Sequence, residues 1–303
     1  MPRDGNRNAR FRAAMSDAVT VSEPAEGPAE GRQLTVIEPS RGWVALRLGE
    51  LWRHRELLFF MVWRDLKVRY RQTAFGALWA ILQPVGLAII FSLFLGSLRG
   101  ISPSGVPYGL FVLIGLVPWM LFSQTVGRAA ESLVQAADII QKVYFPRLLL
   151  PLAAVGSPMV DFGIGIVVVL IASTLMGFIP GITVLWMLPL TAMALATALA
   201  AGIWLAALNV RYRDVRHAVP FILQVWLFSS PVIYSAELVP ESLRPIYYLN
   251  PMAGVIDGFR WALLGGVGPP IGPVLLSMVV TVAVLVGGLA YFRRVERAFA
   301  DVI

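Results

Sequence analysis

Six segments of this 303-residue chain are each long and apolar enough to cross a lipid bilayer as a helix. They are residues 74–98, 108–127, 148–176, 182–208, 218–236 and 271–292. A crossing helix needs about 20 mostly apolar residues, and its backbone must satisfy its own hydrogen bonds in hydrocarbon. Together the six segments contain one acidic or basic side chain, Asp161. The sequence therefore predicts an all-α integral membrane protein with six transmembrane helices.

The basic residues that connect these spans predict their orientation. Seventeen arginines and lysines fall in the segments predicted to be cytoplasmic, which are 41–73, 128–147, 209–217 and 293–303. Three fall in the predicted outer segments, 99–107, 177–181 and 237–270. Because basic residues concentrate on the cytoplasmic side, both termini are predicted to be cytoplasmic. The net charge of +7 is then explained by contact with anionic membrane lipids rather than with nucleic acid.

The chain divides into four predicted regions. Residues 1–40 mix charges with Pro, Gly and Ala without apolar periodicity, as in a disordered cytoplasmic tail. Residues 41–73 form the region of an interface helix, and residues 74–293 form the six-helix transmembrane domain. Residues 294–303 are a cytoplasmic C-terminus. The tail lacks the apolar core of a secretory signal, so the first membrane helix must itself direct insertion.

Residues 61–71 carry five formal charges, whereas residues 72–98 carry none. From just before this charged part to its end, Phe59, Trp63, Leu66 and Tyr70 recur at helical spacing. An aromatic stripe flanked by cations is typical of an amphipathic helix in the headgroup plane. The alternative is a plain cytoplasmic anchor that only fixes topology. The candidate residues of this interface helix are Trp63, Arg64, Lys67, Arg69, Tyr70 and Arg71.

The predicted cytoplasmic loop 128–147 combines a helical pattern over residues 132–144 with a stop at Pro146. Its end places apolar and aromatic residues beside Lys142 and Arg147. An apolar cluster on the cytoplasmic side indicates a docking site for a partner. Packing against the chain's own helices is an equal alternative. The candidate docking residues are Ile139, Ile140, Gln141, Lys142, Val143, Tyr144, Phe145, Pro146 and Arg147.

The outer loop 237–270 contains prolines between short helical patterns. Within it, apolar residues recur at helical spacing, at Met252, Val255, Ile256, Phe259 and Leu263. Broken helices at membrane depth are tolerated where they are buried in protein or line a water-filled cavity. The loop is therefore interpreted either as an outer gate or as a plain capping loop.

Five residues of the predicted spans and their ends are candidates for lining a channel. They are Trp79, Gln83, Asp161, Trp226 and Tyr234. A carboxyl within a span is a functional hypothesis by default, although an interhelical hydrogen bond also explains Asp161. Gln83 precedes Pro84, which predicts a helix kink. The aromatic residues could stack on sugar rings, but interfacial belts and packing explain most of them.

Several kinds of chemistry are excluded. The chain has no cysteine, its two histidines are far apart, and neither lysine lies in a P-loop motif. It is therefore predicted to have no catalytic residue, metal or cofactor. A membrane glycosyltransferase would need clustered acidic residues, and Asp138, Asp214 and Asp301 are isolated. An ion-coupled lipid flippase would need several charges within the membrane.

Four motifs resemble one family, the ABC-2 type permeases that export polysaccharides and polyol-phosphate polymers. They are RDLKVRYRQTAFGALWAILQP (64–84), KVYFPRLLLPLA (142–153), LNVRYRDVRHAVPF (208–221) and NPMAGVIDGFRWALLG (250–265). The motifs occur in the family's order, and the resemblance extends from about residue 40 to the C-terminus. Residues 1–40 resemble nothing in this family.

The resemblance implies a six-helix half-transporter that pairs with a second copy around a central channel in the bacterial inner membrane. Two copies of a separate ABC ATPase would bind ATP and Mg, and residues 139–147 would be the coupling helix that docks them. Residues 62–71 would be the interface helix and 237–265 the outer gate. The implied substrate is a lipid-linked glycan such as O-antigen. The absence of the importers' Gly-centred EAA loop favours export, and an ABC-2 exporter of small molecules is the main alternative.

Overall fold

The structure, a computed structural model, describes residues 48–71, 75–97, 105–212, 214–265 and 268–296. Over these ranges every regular element is a helix, so the predicted all-α class is confirmed. The predicted tail 1–40, the interface region before residue 48 and most of 294–303 lie outside the described residues.

Twelve α-helices follow one another along this part of the chain. They are α1 (Leu48–Arg53), α2 (Arg55–Arg71), α3 (Trp79–Leu95), α4 (Tyr108–Gln135), α5 (Ala137–Lys142), α6 (Leu149–Ala153), α7 (Gly156–Leu175), α8 (Met187–Arg211), α9 (Val215–Phe228), α10 (Arg244–Tyr247), α11 (Pro251–Leu264) and α12 (Ile271–Glu296). Short 3₁₀ turns precede α3 at Gly76–Leu78 and α8 at Ile182–Trp186. Two more lie before α10, at Ala236–Leu238 and Glu241–Leu243.

Five helical segments of the described chain are long and apolar enough to cross a membrane. They are Gly76–Leu95, Tyr108–Gln135, Leu149–Leu175, Ile182–Arg211 and Ile271–Glu296. The sixth predicted span, 218–236, is helical only within α9, whose 14 residues reach about 21 Å. The apolar run continues past Phe228, but Pro231 disfavours a helical residue before it. A sixth full-length span is therefore not confirmed.

The segments that connect the helices gather at two ends of the bundle. At one end, the Arg147 guanidinium donates a hydrogen bond to the Glu296 carbonyl, and Asn209 Nδ2 donates to the Ala130 carbonyl at 2.9 Å. At the other end, Thr183 Oγ1 donates to the Ala262 carbonyl at 2.8 Å. The basic connections thus meet at one end, as expected of helices that alternate in direction.

Helix α4 is the centre of the bundle, and 17 of its 28 residues are buried. Its closest approach to α8 is at Gly202, where an added Cβ would lie 2.6 Å from the Cβ of Ala129. Real Cβ contacts are longer than this, so only a glycine allows the two backbones to come so close. Small residues at such contacts let membrane helices gain van der Waals attraction along their length.

Helix α12 is joined to α8 by polar groups in an otherwise apolar interface. The hydroxyls of Thr197 and Thr281 are 2.9 Å apart. The Trp204 indole donates to the Val284 carbonyl at 3.0 Å and stacks on Tyr291 with ring centroids 4.9 Å apart. Interhelical hydrogen bonds of this kind contribute roughly 0.6 kcal/mol each in a membrane.

Replacing Gly202 by valine is expected to separate α4 from α8. The added methyl groups would overlap Ala129, and overpacking of this kind costs about 1–3 kcal/mol. Unfolding by SDS in mixed micelles would measure the loss. Gly163→Val is the matched control, because a Cβ at Gly163 meets no atom within 4 Å. Equal losses in the two variants would contradict the proposed close contact.

Candidate functional site

Helix α2 lies against the bundle with one face and exposes aromatic side chains on the other. Met61 is buried, and Val62 fills the space above Gly156, where a Cβ would lie 2.3 Å from its Cγ1. On the opposite face Phe59 and Trp63 are exposed, with stacked rings 6.4 Å apart. The Lys67 ammonium lies over the Trp63 ring at 5.3 Å. Exposed rings beside a cation suit contact with lipid headgroups.

The aromatic stripe expected from the sequence is not a single surface. Phe59 and Trp63 point outward, whereas Leu66 and Tyr70 are partly buried against the bundle. The stripe divides because the last turn of α2 carries Arg69 and Tyr70 towards a carboxylate on α7. That polar contact determines how α2 is rotated at this end.

The carboxylate is Asp161, and its contacts join three helices. Both the Arg69 guanidinium and the Tyr70 hydroxyl donate hydrogen bonds to it. Arg69 also donates to Gln124 Oε1 of α4 at 3.3 Å. We name the set Arg69, Tyr70, Gln124 and Asp161 the Asp161 clasp. Only 8% of Asp161 is exposed, so its charge depends on these partners.

The Tyr70 hydroxyl keeps its proton, and so donates to Asp161, over the whole physiological pH range. Its burial, reinforced by the hydrogen bond to Asp161, raises the pKa of the Tyr70 hydroxyl to about 12. A phenol with so high a pKa keeps its proton near neutral pH. The hydrogen bonds that Asp161 accepts from α2 are those expected of the interhelical interpretation, and a role in a channel stays a prediction.

The five channel candidates do not form one lining. Gln83 and Asp161 border the same small cavity of about 20 Å³, large enough for about one water molecule. Trp79 is exposed beside Phe75. The Trp226 indole donates to Asn250 Oδ1 at 2.8 Å, and the Tyr234 hydroxyl donates to the Phe228 carbonyl at 3.1 Å.

The candidate docking segment is partly helical and partly extended. The predicted helix over 132–144 was wrong in its bounds, because α4 ends at Gln135 and α5 covers only Ala137–Lys142. Val143 is extended (φ −133°, ψ 132°). Pro146 favours this outcome, because a proline disfavours helical conformation in the residue before it.

Exposure sorts the docking candidates into two groups. Ile139, Gln141, Lys142, Val143 and Tyr144 are exposed, and Tyr144 has 87% of its surface accessible. Phe145 is buried, and Ile140, Pro146 and Arg147 are partly buried. Arg147 is attached to the end of α12 through the Glu296 carbonyl. The tip of the loop therefore projects and its base is packed, and the docking role of the tip stays a prediction.

Sequence reasoning missed a buried cation in α11. Arg260 lies 3.6 Å from Asp257, donates to the Val232 carbonyl at 2.8 Å and places its guanidinium 3.5 Å from the Phe111 ring centroid. The Tyr248 hydroxyl donates to Asp257 at 2.9 Å. The i, i+3 spacing of Asp257 and Arg260 was the available signal. The five apolar residues that predicted a helix here are all buried, so this part of the outer loop is core.

None of the described ranges brings three His, Cys, Asp or Glu side chains close enough to hold a metal ion. The polar groups of the chain instead join helices. At the end that carries the basic segments, the tip of the 137–147 segment projects apolar and aromatic side chains, Val143 and Tyr144, into solvent.

Asp161→Asn is expected to lower the free energy of unfolding by about 3 kcal/mol, because it leaves the partly buried Arg69 without its carboxylate. Unfolding by SDS in mixed micelles would measure it. Exchanging the charges, with Arg69→Asp and Asp161→Arg together, should recover part of the loss.

Asp65→Asn is the matched control for the clasp. Asp65 pairs with its neighbour Arg64 at 3.0 Å, and both side chains remain partly exposed; ion pairs open to solvent contribute at most about 1 kcal/mol. A loss for Asp161→Asn no larger than that for Asp65→Asn would show that the clasp does not hold α2.

Comparison with known proteins shows which family has a matching sequence. Residues 56–264 match the ABC-2 type transporter family. The chain is 30% identical over 256 residues to the O-antigen export system permease protein RfbA of Myxococcus xanthus, covering 84% of this chain and 98% of that protein. A protein of the same name from Klebsiella pneumoniae is 29% identical, with 82% and 95% covered.

A further similarity is to the polysialic acid transport protein KpsM of Escherichia coli, at 25% identity over 242 residues, covering 78% of this chain and 92% of that protein. The family match takes in α2, the docking segment and α11, and it covers more than half of the chain. This integral membrane protein therefore belongs to the ABC-2 type transporter family.

Proposed function

We propose that this chain is the permease subunit of an ATP-driven exporter that moves a lipid-linked polysaccharide from the cytoplasm across the bacterial inner membrane. The observation that carries the proposal is the similarity to a permease protein of an O-antigen export system, which extends over 98% of that relative's length. The KpsM similarity supports a polysaccharide in general. O-antigen is the preferred substrate class because the two RfbA proteins are the more similar relatives.

We infer a topology of six crossings with both termini in the cytoplasm. The unequal basic residues of the two sets of connections support the orientation. Helix α9 and the residues that follow it would make the fifth crossing. Trp226 near the end of α9 bonds to Asn250 at the start of α11, so the two short helices meet within the bundle. Residues 237–265 would then form the outer gate.

The proposed assembly contains two copies of this chain and two cytoplasmic ATPase subunits. The sequence has no P-loop, so ATP and Mg would be held by the partner. Exposed Val143 and Tyr144 offer that partner an aromatic contact. Helix α3 supports the pairing of two copies, since Pro84 and Ala88 are its only residues described as buried.

The chain's own residues would convert the partner's motion into channel opening. A partner that binds residues 139–144 differently with and without ATP would bias the position of α5. Because α5 follows α4 after one residue, Ala136, that bias would reach the centre of the bundle. The Asp161 clasp would keep α2 attached to α4 and α7 during the movement.

Deleting the gene should trap the lipid-linked glycan inside the cell and remove the polymer from the surface. Mass spectrometry of extracted polyprenyl lipids, with surface glycan staining, would measure both, and the full chain supplied in trans should restore export. Normal surface glycan in a strain without a second exporter would contradict the proposal and leave a small-molecule ABC exporter.

Tyr144→Asp should weaken binding to the partner ATPase at least tenfold, since an aromatic hot spot contributes about 2 kcal/mol or more. Co-purification of the two subunits would measure the loss, and the permease itself should elute unchanged because Tyr144 is exposed. Tyr212→Asp is the control, since Tyr212 is also exposed, on the connection after α8. Equal binding by both variants would exclude the docking role.

A further inference from the structure

A polar cavity of about 180 Å³ lies between α2 and the bundle, at the end that carries the basic segments. Its charged and polar lining comes from α2 and from the end of α4. These side chains are Arg64, Asp65, Arg128, Ser132 and Gln135. The volume is well below the roughly 300 Å³ of a small-molecule site, but it far exceeds the space of one water molecule. A single headgroup-sized ligand fits it.

Arg128 is the residue in this cavity without a partner. It is partly buried, and it forms no hydrogen bond or ion pair within the part of the chain that the structure describes. The two nearby carboxylates are already engaged: Asp65 with Arg64, and Asp161 with Arg69 and Tyr70. Arg69 adds a repulsive charge near Arg128. A cation removed from water in this way is costly until an anion reaches it.

The remaining polar groups also suit an anion. One amide hydrogen of Gln135 is donated to Glu131 at 2.7 Å, which leaves the other available. The Ser132 hydroxyl donates its hydrogen to the Ala129 carbonyl at 2.7 Å, so the donors available to an anion are those of Gln135 and the arginines. A guanidinium binds phosphate oxygens through paired hydrogen bonds, which makes arginine the usual partner of phosphate groups.

The position of the cavity favours a lipid over a soluble anion. Its wall is α2, whose outer face exposes Phe59, Trp63 and Val68, and such a face lies at the boundary of headgroups and acyl chains. A ligand that reaches the cavity from the membrane can place a phosphate at Arg128 and leave its chains along these side chains.

We propose that this cavity binds the phosphate of an anionic lipid headgroup, with Arg128 as its main ligand and Arg64 beside it. The lipid is either a membrane phospholipid or the polyprenyl diphosphate carrier of the polymer. If the lipid is the polymer carrier, the site is part of the proposed export function and the inference rests on that function. If the lipid is a membrane phospholipid, the inference does not depend on it.

The test is thermal unfolding of the purified full chain in mild detergent with four probes. These are short-chain phosphatidylglycerol, short-chain phosphatidylcholine, geranylgeranyl diphosphate and inorganic phosphate. A ligand that binds only the folded protein raises the melting temperature with its concentration. Phosphatidylglycerol or the diphosphate should do so, and Arg128→Gln should raise the required concentration about tenfold. Arg64→Gln should raise the required concentration by a smaller factor, and it tests the site if Arg128→Gln does not fold.

Arg294→Gln is the matched control, because Arg294 is exposed near the end of α12 and lies outside the cavity lining. Equal responses of the Arg128 and Arg294 variants, or stabilisation by phosphatidylcholine as strong as by the anionic lipids, would overturn the site. Stabilisation by inorganic phosphate alone would overturn the lipid assignment. Preference for the diphosphate identifies the carrier, and preference for phosphatidylglycerol identifies a membrane lipid. If deleting the gene leaves the surface glycan unchanged but the purified protein still binds the lipid, the proposed polymer export is refuted and the lipid site stands.

Discussion

The contact of Asp161 with Arg69 and Tyr70 determines how α2 meets the helices of the bundle. Without it, the rotation of α2 would depend on the apolar contacts that Met61 and Val62 make with the bundle. With it, one face of α2 is directed to the bundle, the other presents Phe59 and Trp63 outward, and the cavity at Arg128 acquires its wall. A buried carboxylate needs hydrogen-bonding partners, and at Asp161 the side chains of Arg69 and Tyr70 provide them.

Much of the fold was predictable because the membrane restricts the choices of the chain. Hydrocarbon enforces helices, so long apolar segments predicted the all-α bundle, whereas the orientation predicted from the basic residues stays a prediction. The helical length of the fifth predicted span was overestimated. Apolar composition does not reveal that the helix ends at Phe228, before Pro231. Composition measures solubility in lipid, whereas helix ends depend on individual backbone positions.

The candidate site was less predictable because it depends on contacts distant in sequence. Tyr70 and Asp161 are 91 residues apart, and no local pattern states that they meet. In the sequence, Arg128 counted only as one of the basic residues that predict the orientation of the chain in the membrane. Its importance comes from the neighbouring carboxylates being occupied by other side chains, which requires coordinates. By contrast, the apolar cluster at residues 139–145 was visible in the sequence, but only the structure shows that Val143 and Tyr144 project while Phe145 is packed.

The length of α4 has a consequence for the transmission of force. Its 28 residues reach about 42 Å, against about 30 Å of hydrocarbon. One rigid rod therefore connects the docking segment with Phe111, which lies under Arg260 near the opposite end. Pro118 lies inside the rod and removes a backbone hydrogen bond there. A partner that moves residues 137–144, as proposed above, would therefore tilt α4 as one continuous helix, and the end of α4 on the far side of the membrane would move with it.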